Sequence, residues 1–254
     1  MRTAIIGYTG FVGGYLNSCN KFNDRFNSTN IQEIGKNRYG SILCAGAPGA
    51  KWVANKFPVQ DKENVEKLII NLERVKTQKL ILISTIDIYP SPTQVDESSI
   101  IQSERLTPYG ANRRRLEQFV ESKFSNSNII RLPGLFGRGL KKNILFDLIT
   151  NTNLDKLPAS GQFQFYDITD LQKDIDFILE KEIRLINLVT EPINVQEIYK
   201  EIFRMEGMGN TVIPSPMYDV RTKYSNLFGG LNYILKKDDV KQKLKNFLRT
   251  EMQK

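Results

Sequence analysis

Short apolar runs alternate with helix-period stripes along the first half of the chain. Arg2–Gly7 is an apolar run ending in glycine and predicts a strand. Gly10–Asn20 places Phe11, Val12, Tyr15 and Leu16 at helical spacing. Lys21–Asn27 predicts a second strand with Phe22 and Phe26 on one face, Asn30–Lys36 a short helix, and Ser41–Ala45 a buried strand. Val65, Leu68, Ile69 and Leu72 mark one face of a helix over Val59–Val75. Lys79–Ser84, dense in Ile and Leu, has the pattern of a strand covered on both sides. A loop of Pro, Ser and Thr (Pro90–Leu106) leads to Thr107-Pro108, a capping hydroxyl followed by a first-turn proline, which starts a helix. Asn128–Leu132 is the next strand. Strands alternating with helices predict an α/β fold with a doubly wound parallel sheet.

Beyond about residue 133 the pattern loosens. Short strands at Gln164–Asp167 and Leu185–Val189 mix with helices at Asp170–Glu180 and Val195–Met205. Gly207–Gly230 reads as irregular, and Val240, Leu244, Phe247 and Leu248 mark a closing amphipathic helix. No repeat or low-complexity tract separates these parts. The expectation is one domain over 1–254, with 1–135 mainly the sheet core and 136–254 mainly a small C-terminal lobe. A return of the chain from lobe to core is left open.

Composition narrows the chemistry. The 254 residues are 40% hydrophobic and 25% charged, ordinary for a protein with a buried core. No run approaches the roughly 18 apolar residues of a membrane span, and the apolar part of the N-terminus is too short for a signal peptide. Cys19 and Cys44 supply neither a disulfide framework nor metal spacing. Cytoplasmic residence is expected, with no metal and no membrane partner. The absence of histidine excludes a Ser-His-Asp triad, a Cys-His pair and His-ligated zinc, so proton transfer falls to Tyr, carboxylate, Lys, Cys or water. The net charge of +8 suits an anionic ligand, but a lysine-rich solvated surface explains it more simply. No aromatic-interleaved basic stripe argues for nucleic acid.

Gly7-Tyr-Thr-Gly10-Phe-Val-Gly13 follows a strand and opens a helix, which is the context a dinucleotide-binding turn needs. Gly7 permits the tight turn, Gly10 lets backbone approach a pyrophosphate, and Gly13 allows close helix–strand packing. The helix N-terminus adds N–H groups and partial positive charge. On the ribose side Arg25 and Ser28 suit a 2′-phosphate, whereas Asp24 suits a 2′-hydroxyl. Strand alternation lets only one of Asp24 and Arg25 face the ligand. The cofactor is therefore NADP or NAD, with a lean to NADP.

At this point the chain resembles the extended short-chain dehydrogenase/reductase superfamily, the NAD-dependent epimerase, dehydratase and reductase group that modifies nucleotide sugars. The glycine turn, Ile83-Ser84-Thr85-Ile-Asp-Ile-Tyr89, Pro108-Tyr109-Gly-Ala-Asn-Arg113, Ile130-Arg-Leu-Pro133-Gly134-Leu-Phe-Gly137 and Phe165-Tyr166-Asp167-Ile-Thr-Asp170 carry the likeness, which spans nearly the whole chain. It implies a Rossmann core with a substrate-binding lobe. It assigns catalysis to Thr85, Tyr109 and Arg113, with Arg113 standing where the family has lysine. A cation one helical turn from a phenol favours phenolate, but a planar guanidinium is not a compact ammonium. Cofactor contacts then fall to Gly7, Thr9, Gly10, Phe11, Val12, Gly13, Arg25, Ser28, Ala45, Gly46, Ala47, Ser84, Tyr109, Arg113 and Pro133. The chain is also short of one strand–helix unit that the family inserts before Ser41–Ala45.

Arg221 is the preferred clamp for a substrate diphosphate because guanidinium pairs with phosphate bidentately; Arg138 and Asn143, in a basic flexible loop, are further substrate candidates. No second carboxylate or cysteine base for epimerisation is assignable. The first hypothesis is an NAD(P)-dependent oxidoreductase or epimerase of a nucleotide-activated sugar, in polysaccharide biosynthesis. The second is a cofactor-binding sensor or scaffold without turnover, suggested by Arg113. The third, an RNA-associated relative, rests on charge alone. A homodimer is left open.

Overall fold

The computed structural model describes residues 1–252. In chain order the strands are β1 (Thr3–Ile6), β2 (Asp24–Phe26), β3 (Arg38–Cys44), β4 (Lys76–Thr85), β5 (Thr93–Val95), β6 (Ser127–Leu132), β7 (Gly134–Phe136), β8 (Gln162–Phe163), β9 (Phe165–Asp167), β10 (Leu185–Asn187), β11 (Ile193–Asn194) and β12 (Asp219–Val220). The α-helices are α1 (Phe11–Cys19), α2 (Lys51–Lys56), α3 (Pro58–Glu73), α4 (Pro108–Lys123), α5 (Ile144–Thr150), α6 (Leu171–Glu180), α7 (Val195–Glu197) and α8 (Lys237–Met252). The chain divides into two compact units, one of residues 1–90, 100–131 and 169–186, the other of 91–99, 132–168 and 187–254. Among the described residues no helix is long and apolar enough to cross a membrane.

The first unit is built on a six-stranded sheet in the order β10-β6-β4-β3-β1-β2. β1 lies parallel to β2 on one side and to β3 on the other, and β3 lies parallel to β4. Alternation along these strands serves two cores. Ala4, Ile6, Ile42, Cys44, Leu80, Leu82 and Ile129 pack with Val65, Leu68, Leu72, Leu116 and Val120 of α3 and α4. Ile5, Leu43, Ile81 and Ile130, also buried, point to the opposite face. There α1 packs on α6, with Leu16, Leu171, Ile175 and Ile178 buried. This is the doubly wound parallel architecture that the alternation of strands and helices predicts.

Several boundaries differ from the sequence expectation, each for a local reason. The second strand is only Asp24–Phe26, because Asn23 turns its side chain back to accept the Thr3 N–H. Asn30–Lys36 closes as a 3-10 turn over Ile31–Lys36 rather than an α-helix. The strand expected at Lys79–Ser84 extends to Lys76–Thr85, since β3 offers partners as far back as Arg38, opposite Lys76. α2 was not predicted: at six residues it is too short to show a period.

The second unit has small two-stranded pairings: β7 with β9 and β5 with β12, both parallel, and β8 with β11, antiparallel. Its core gathers Phe136, Leu145, Leu148, Phe165, Ile193, Tyr199, Val240 and Leu244. The expected helix over Val195–Met205 is a turn of α7 continuing as a π-helical turn, Ile198–Ile202. β12 lies inside the segment expected to be irregular. Two residues pair there because β5 supplies a partner from far away in sequence, which no local pattern can show.

Candidate active site

At the carboxyl end of β1 the backbone turns at Gly7, whose φ of +85° lies in the left-handed region. The Gly7 N–H donates to the Phe26 carbonyl (2.7 Å) and the Ala45 N–H to the Ile6 carbonyl (2.9 Å). The ends of β1, β2 and β3 therefore converge at this turn. The connection after β1 leads to β2 on one side and that after β3 leads to β4 on the other, which opens a crevice at the carboxyl ends of these two strands. A Cβ at Gly13 would lie 2.1 Å from the Gly7 carbonyl oxygen, so α1 sits against the turn only because this residue has no side chain.

Gly10 is different. A Cβ there would lie 3.3 Å from the Gly7 carbonyl oxygen, a tight contact that asks for a shift of a few tenths of an ångström, far less than at Gly13. Gly10 caps α1 without a side-chain hydrogen bond, and no acidic residue occupies the first turn. The N–H groups of Phe11, Val12 and Gly13 lack intrahelical acceptors by helix geometry. An open cradle of N–H donors beside a position kept bare of side chain fits a pyrophosphate. Thr9 is exposed beside it.

Asp24, the first residue of β2, is engaged away from this turn. It takes a two-pronged ion pair from Arg2 (2.5 and 2.6 Å) and a bond from Asn37, and the Arg2 bonds hold its carboxyl below the usual range. Arg25 points the other way, exposed, with Nε donating to Asn17 Oδ1. Asn27 and Asn30 shape the following turn: Asn27 Oδ1 accepts from the Thr29 N–H and hydroxyl, and Asn30 Oδ1 accepts from the Asn27 N–H. Ser28 is exposed at its crest. At the end of β3, Ala45, Gly46 and Ala47 lead toward Pro48 and α2; a Cβ on Gly46 would sit 2.8 Å from Ile6.

The hydroxyl chemistry lies where β4 ends. Thr85 closes the strand and caps the turn Ile86–Ile88, its Oγ1 accepting the Asp87 N–H (3.1 Å). Thr85 also acts on the Tyr109 phenol, favouring its ionised form. Tyr109 opens α4, which Thr107 caps by accepting the Gly110 N–H. Gly110 lets α4 approach: its Cβ would lie 2.4 Å from the Asp87 carbonyl oxygen. Burial pushes the Tyr109 phenol above its ordinary pKa, against the opposing charge of Arg113, so it is a protonated acid at neutral pH.

Arg113 meets Tyr109 across its ring. Its guanidinium lies over the Tyr109 ring, 4.2 Å from the centroid, and is only 3% exposed. It chelates Asp61 of α3, through Nη1 to Oδ2 (2.6 Å) and Nη2 to Oδ1 (3.0 Å), and also donates to the Pro48 carbonyl. Asn112 donates to the same Asp61. Ser84 likewise faces inward, donating to Glu117 (2.6 Å), a fully buried carboxylate that Arg131 clasps through Nε and Nη2. Arg131 also donates to the Tyr89 hydroxyl.

Sequence reasoning missed Asp61, Glu117 and Arg131, although a signal existed. Asp61 stands four residues before Val65 on the apolar stripe of α3, Glu117 beside Leu116, and Arg131 inside an apolar strand. A charge at a position whose period assigns it to the core needs a partner. Lys51 and Asn55 of α2 carried no such signal. Lys51 pairs with Asp87 (Nζ to Oδ1, 2.6 Å), and Asn55 Oδ1 accepts the Tyr109 backbone N–H.

The other candidates belong to the second unit. Pro133 is buried between β6 and β7. Asn143 caps α5, accepting from the Leu145 and Phe146 N–H groups and donating to the Leu135 carbonyl. Arg221 is paired with Asp219, which also accepts from the Tyr233 hydroxyl (2.5 Å). Arg138 is exposed.

No protein-family model matches the chain, and no curated protein sequence matches it. Solved structures do. A dTDP-4-dehydrorhamnose reductase from Yersinia enterocolitica is similar at TM-score 0.76 and 15% identity, over 98% of this chain and 99% of that one. A UDP-glucose 4-epimerase from Thermotoga maritima, solved with UDP-glucose, gives 0.74 and 13% over 100% and 99%. A dTDP-4-dehydrorhamnose reductase from Bacillus anthracis, solved with NADP, gives 0.73 and 18% over 98% of both chains. At such identities the common property is the fold, of Rossmann type.

Proposed function

We propose that this protein is an NAD(P)-dependent enzyme acting on a nucleotide-activated sugar, and that reduction of a sugar carbonyl is the reaction its site suits best. The observation that carries this reading is that Thr85 closes β4 and caps the turn on which α4, with Tyr109 in its first turn, packs directly, in the same unit as the Gly7–Gly13 turn. Similar structures include dTDP-sugar reductases and a UDP-sugar epimerase, which supports nucleotide sugars as the substrate class. Nicotinamide dinucleotide supplies or accepts hydride when bound.

The residues divide the remaining work. The first turn of α1, with Gly10 bare, receives the pyrophosphate. Arg25 and Ser28 face the adenosine ribose while Asp24 is held by Arg2, which favours NADP. Thr85 orients the substrate oxygen by a hydrogen bond. Tyr109, kept protonated by burial, donates its proton to that oxygen as the carbonyl is reduced. Arg138 is the exposed cation offered to the substrate diphosphate, and Arg221 would have to exchange Asp219 for phosphate. Asn143 fixes the backbone that carries the loop.

A second reading, a cofactor-binding protein without turnover, draws on one observation: the Arg113 charge is matched by Asp61. The two separate in one experiment. Loss of reduced-nicotinamide absorbance is followed with a panel of 4-keto and 4-hydroxy nucleotide sugars, alongside Tyr109→Phe. Under the enzyme reading that variant loses at least about 10²-fold in turnover at unchanged cofactor affinity. Cofactor binding with no turnover of any panel member favours the second reading, and no binding of either dinucleotide overturns both.

A further inference from the structure

One buried charge cluster takes no part in the roles assigned above. Glu117, fully buried on α4, receives four donors on its two carboxylate oxygens. Oε1 accepts from the Ser84 hydroxyl (2.6 Å) and Arg131 Nε (3.0 Å), and Oε2 from Arg131 Nη2 (2.8 Å) and Arg114 Nη1 (3.0 Å). These bonds fill the lone-pair sites of a carboxylate. Arg131, 2% exposed, also gives Nη1 to the Tyr89 hydroxyl (2.8 Å).

The cluster joins the elements that carry both hydroxyls. Glu117 stands about two turns after Tyr109 on α4, and Ser84 directly precedes Thr85 on β4. Arg131 is on β6, the neighbour of β4 in the sheet, and Tyr89 follows the turn Ile86–Ile88 that Thr85 caps. The Glu117–Arg131 pair therefore grips the chain on both sides of the Thr85 turn and ties it to the helix of Tyr109. Gly110 lets α4 come close to the Asp87 carbonyl, but only directional bonds fix where along β4 the helix stops.

A charge pair is a costly way merely to fill this space. Leu116 and Val120 flank Glu117 on α4, and Ile130 and Leu132 flank Arg131 on β6, all buried. Apolar side chains of similar volume often stabilise a fold as well as a buried ion pair does, or better; the best-attested use of such a pair is to set register.

We propose that Glu117, clasped by Arg131, is a positioning residue that sets Thr85 and Tyr109 relative to each other, acting through Ser84 and Tyr89. This rests on the reductive reading given above. There, Thr85 holds the carbonyl oxygen while Tyr109 gives its proton to that oxygen and the carbon accepts hydride. One oxygen must then lie within hydrogen-bond reach of both side chains, and a shift of about 1 Å between α4 and β4 breaks that condition.

The test separates stability from geometry in the full chain. Glu117→Leu combined with Arg131→Met removes both charges together, whereas Ser84→Ala removes one bond and leaves the pair. Each is measured for urea midpoint, cofactor affinity, reductive kcat and KM, and hydrogen exchange of the Asp87 N–H, whose acceptor is Thr85 Oγ1. The apolar pair is expected to keep or raise the midpoint, to lower kcat about 10²-fold with KM little changed, and to speed Asp87 exchange about tenfold. Ser84→Ala is expected to lower kcat about tenfold at unchanged cofactor affinity, and to cost nothing further in a Thr85→Val background. Wild-type kcat or wild-type Asp87 exchange in a folded apolar pair overturns the inference. If that pair fails to fold, Ser84→Ala decides: an effect that adds in full to Thr85→Val, or a loss of cofactor affinity, overturns it. Exchange needs no turnover. A wild-type protein inactive on every substrate, whose Asp87 exchange still follows these variants, defeats the enzyme reading and leaves the positioning standing.

Discussion

Replacing Arg113 by Met should unfold this protein more readily than any change at its surface. The guanidinium is 3% exposed and makes two bonds to Asp61, a third to the Pro48 carbonyl and a stacking contact with Tyr109. Methionine fills much of the volume but leaves a buried carboxylate with only Asn112 as partner. Removing one member of such a pair costs about 3–5 kcal/mol. With a urea m-value of about 3 kcal/mol/M, a loss near 4 lowers the unfolding midpoint by about 1.3 M at constant m. Arg113→Lys keeps a charge but cannot span both Asp61 oxygens, so about 1.5–3 kcal/mol is lost, the worth of a charged hydrogen bond. The decisive variant is Arg113→Met with Asp61→Asn, which removes both charges and keeps an acceptor for Asn112. It should regain at least half of the loss. Equilibrium urea unfolding followed by circular dichroism measures all three. An Arg113→Met penalty below about 1 kcal/mol would refute the argument, because a buried pair cannot be broken so cheaply. A double variant no more stable than the single one would refute it equally.

The glycines of the turn should separate by cause: Gly13→Ala, whose Cβ would lie 2.1 Å from a carbonyl oxygen, lowers Tm steeply. Gly10→Val keeps a folded protein but abolishes NAD(P) binding in calorimetry, and undiminished binding would sink the assignment of this cradle. Arg25→Ala should weaken NADPH by about tenfold, the worth of one charged hydrogen bond, and leave NADH nearly unchanged; equal losses would remove Arg25 from the 2′-phosphate. Because Arg2 depresses the Asp24 carboxyl, that pair stabilises the fold above the ordinary value of 3.8 and is lost as pH falls through the lower folded value. Arg2→Met should therefore flatten this part of the acid limb of a stability–pH curve, while the region above pH 5 keeps its shape.

The first half of the fold was legible because its signals are local. The apolar runs of β1, β3, β4 and β6, the stripe on α3, and the Thr107-Pro108 start of α4 each express a period or a cap within a few neighbours. The Gly7–Gly13 turn was equally plain, since strand, glycine spacing and helix follow without interruption. The same locality misplaced what depends on partners. β2 is short because Asn23 bonds back to Thr3, β4 is long because β3 lies beside it, and β12 exists because β5 does.

What the residue order determined, then, is the inventory: an alternating α/β chain without histidine, a bare glycine at a helix start, and a threonine and a tyrosine in segments that resemble a known family's catalytic motifs. Which charge meets which group was decided only by tertiary structure. Arg113 lies one turn from Tyr109 along α4, so spacing alone suggests that it acts on the phenol. Asp61, 52 positions earlier, captures it, because two buried opposite charges cannot be left unpaired. Lys51 has no local feature to set it apart from the other lysines. It finds Asp87 only because α2 is laid against the turn after β4, since electrostatic effects depend on distance in space and not on separation along the chain.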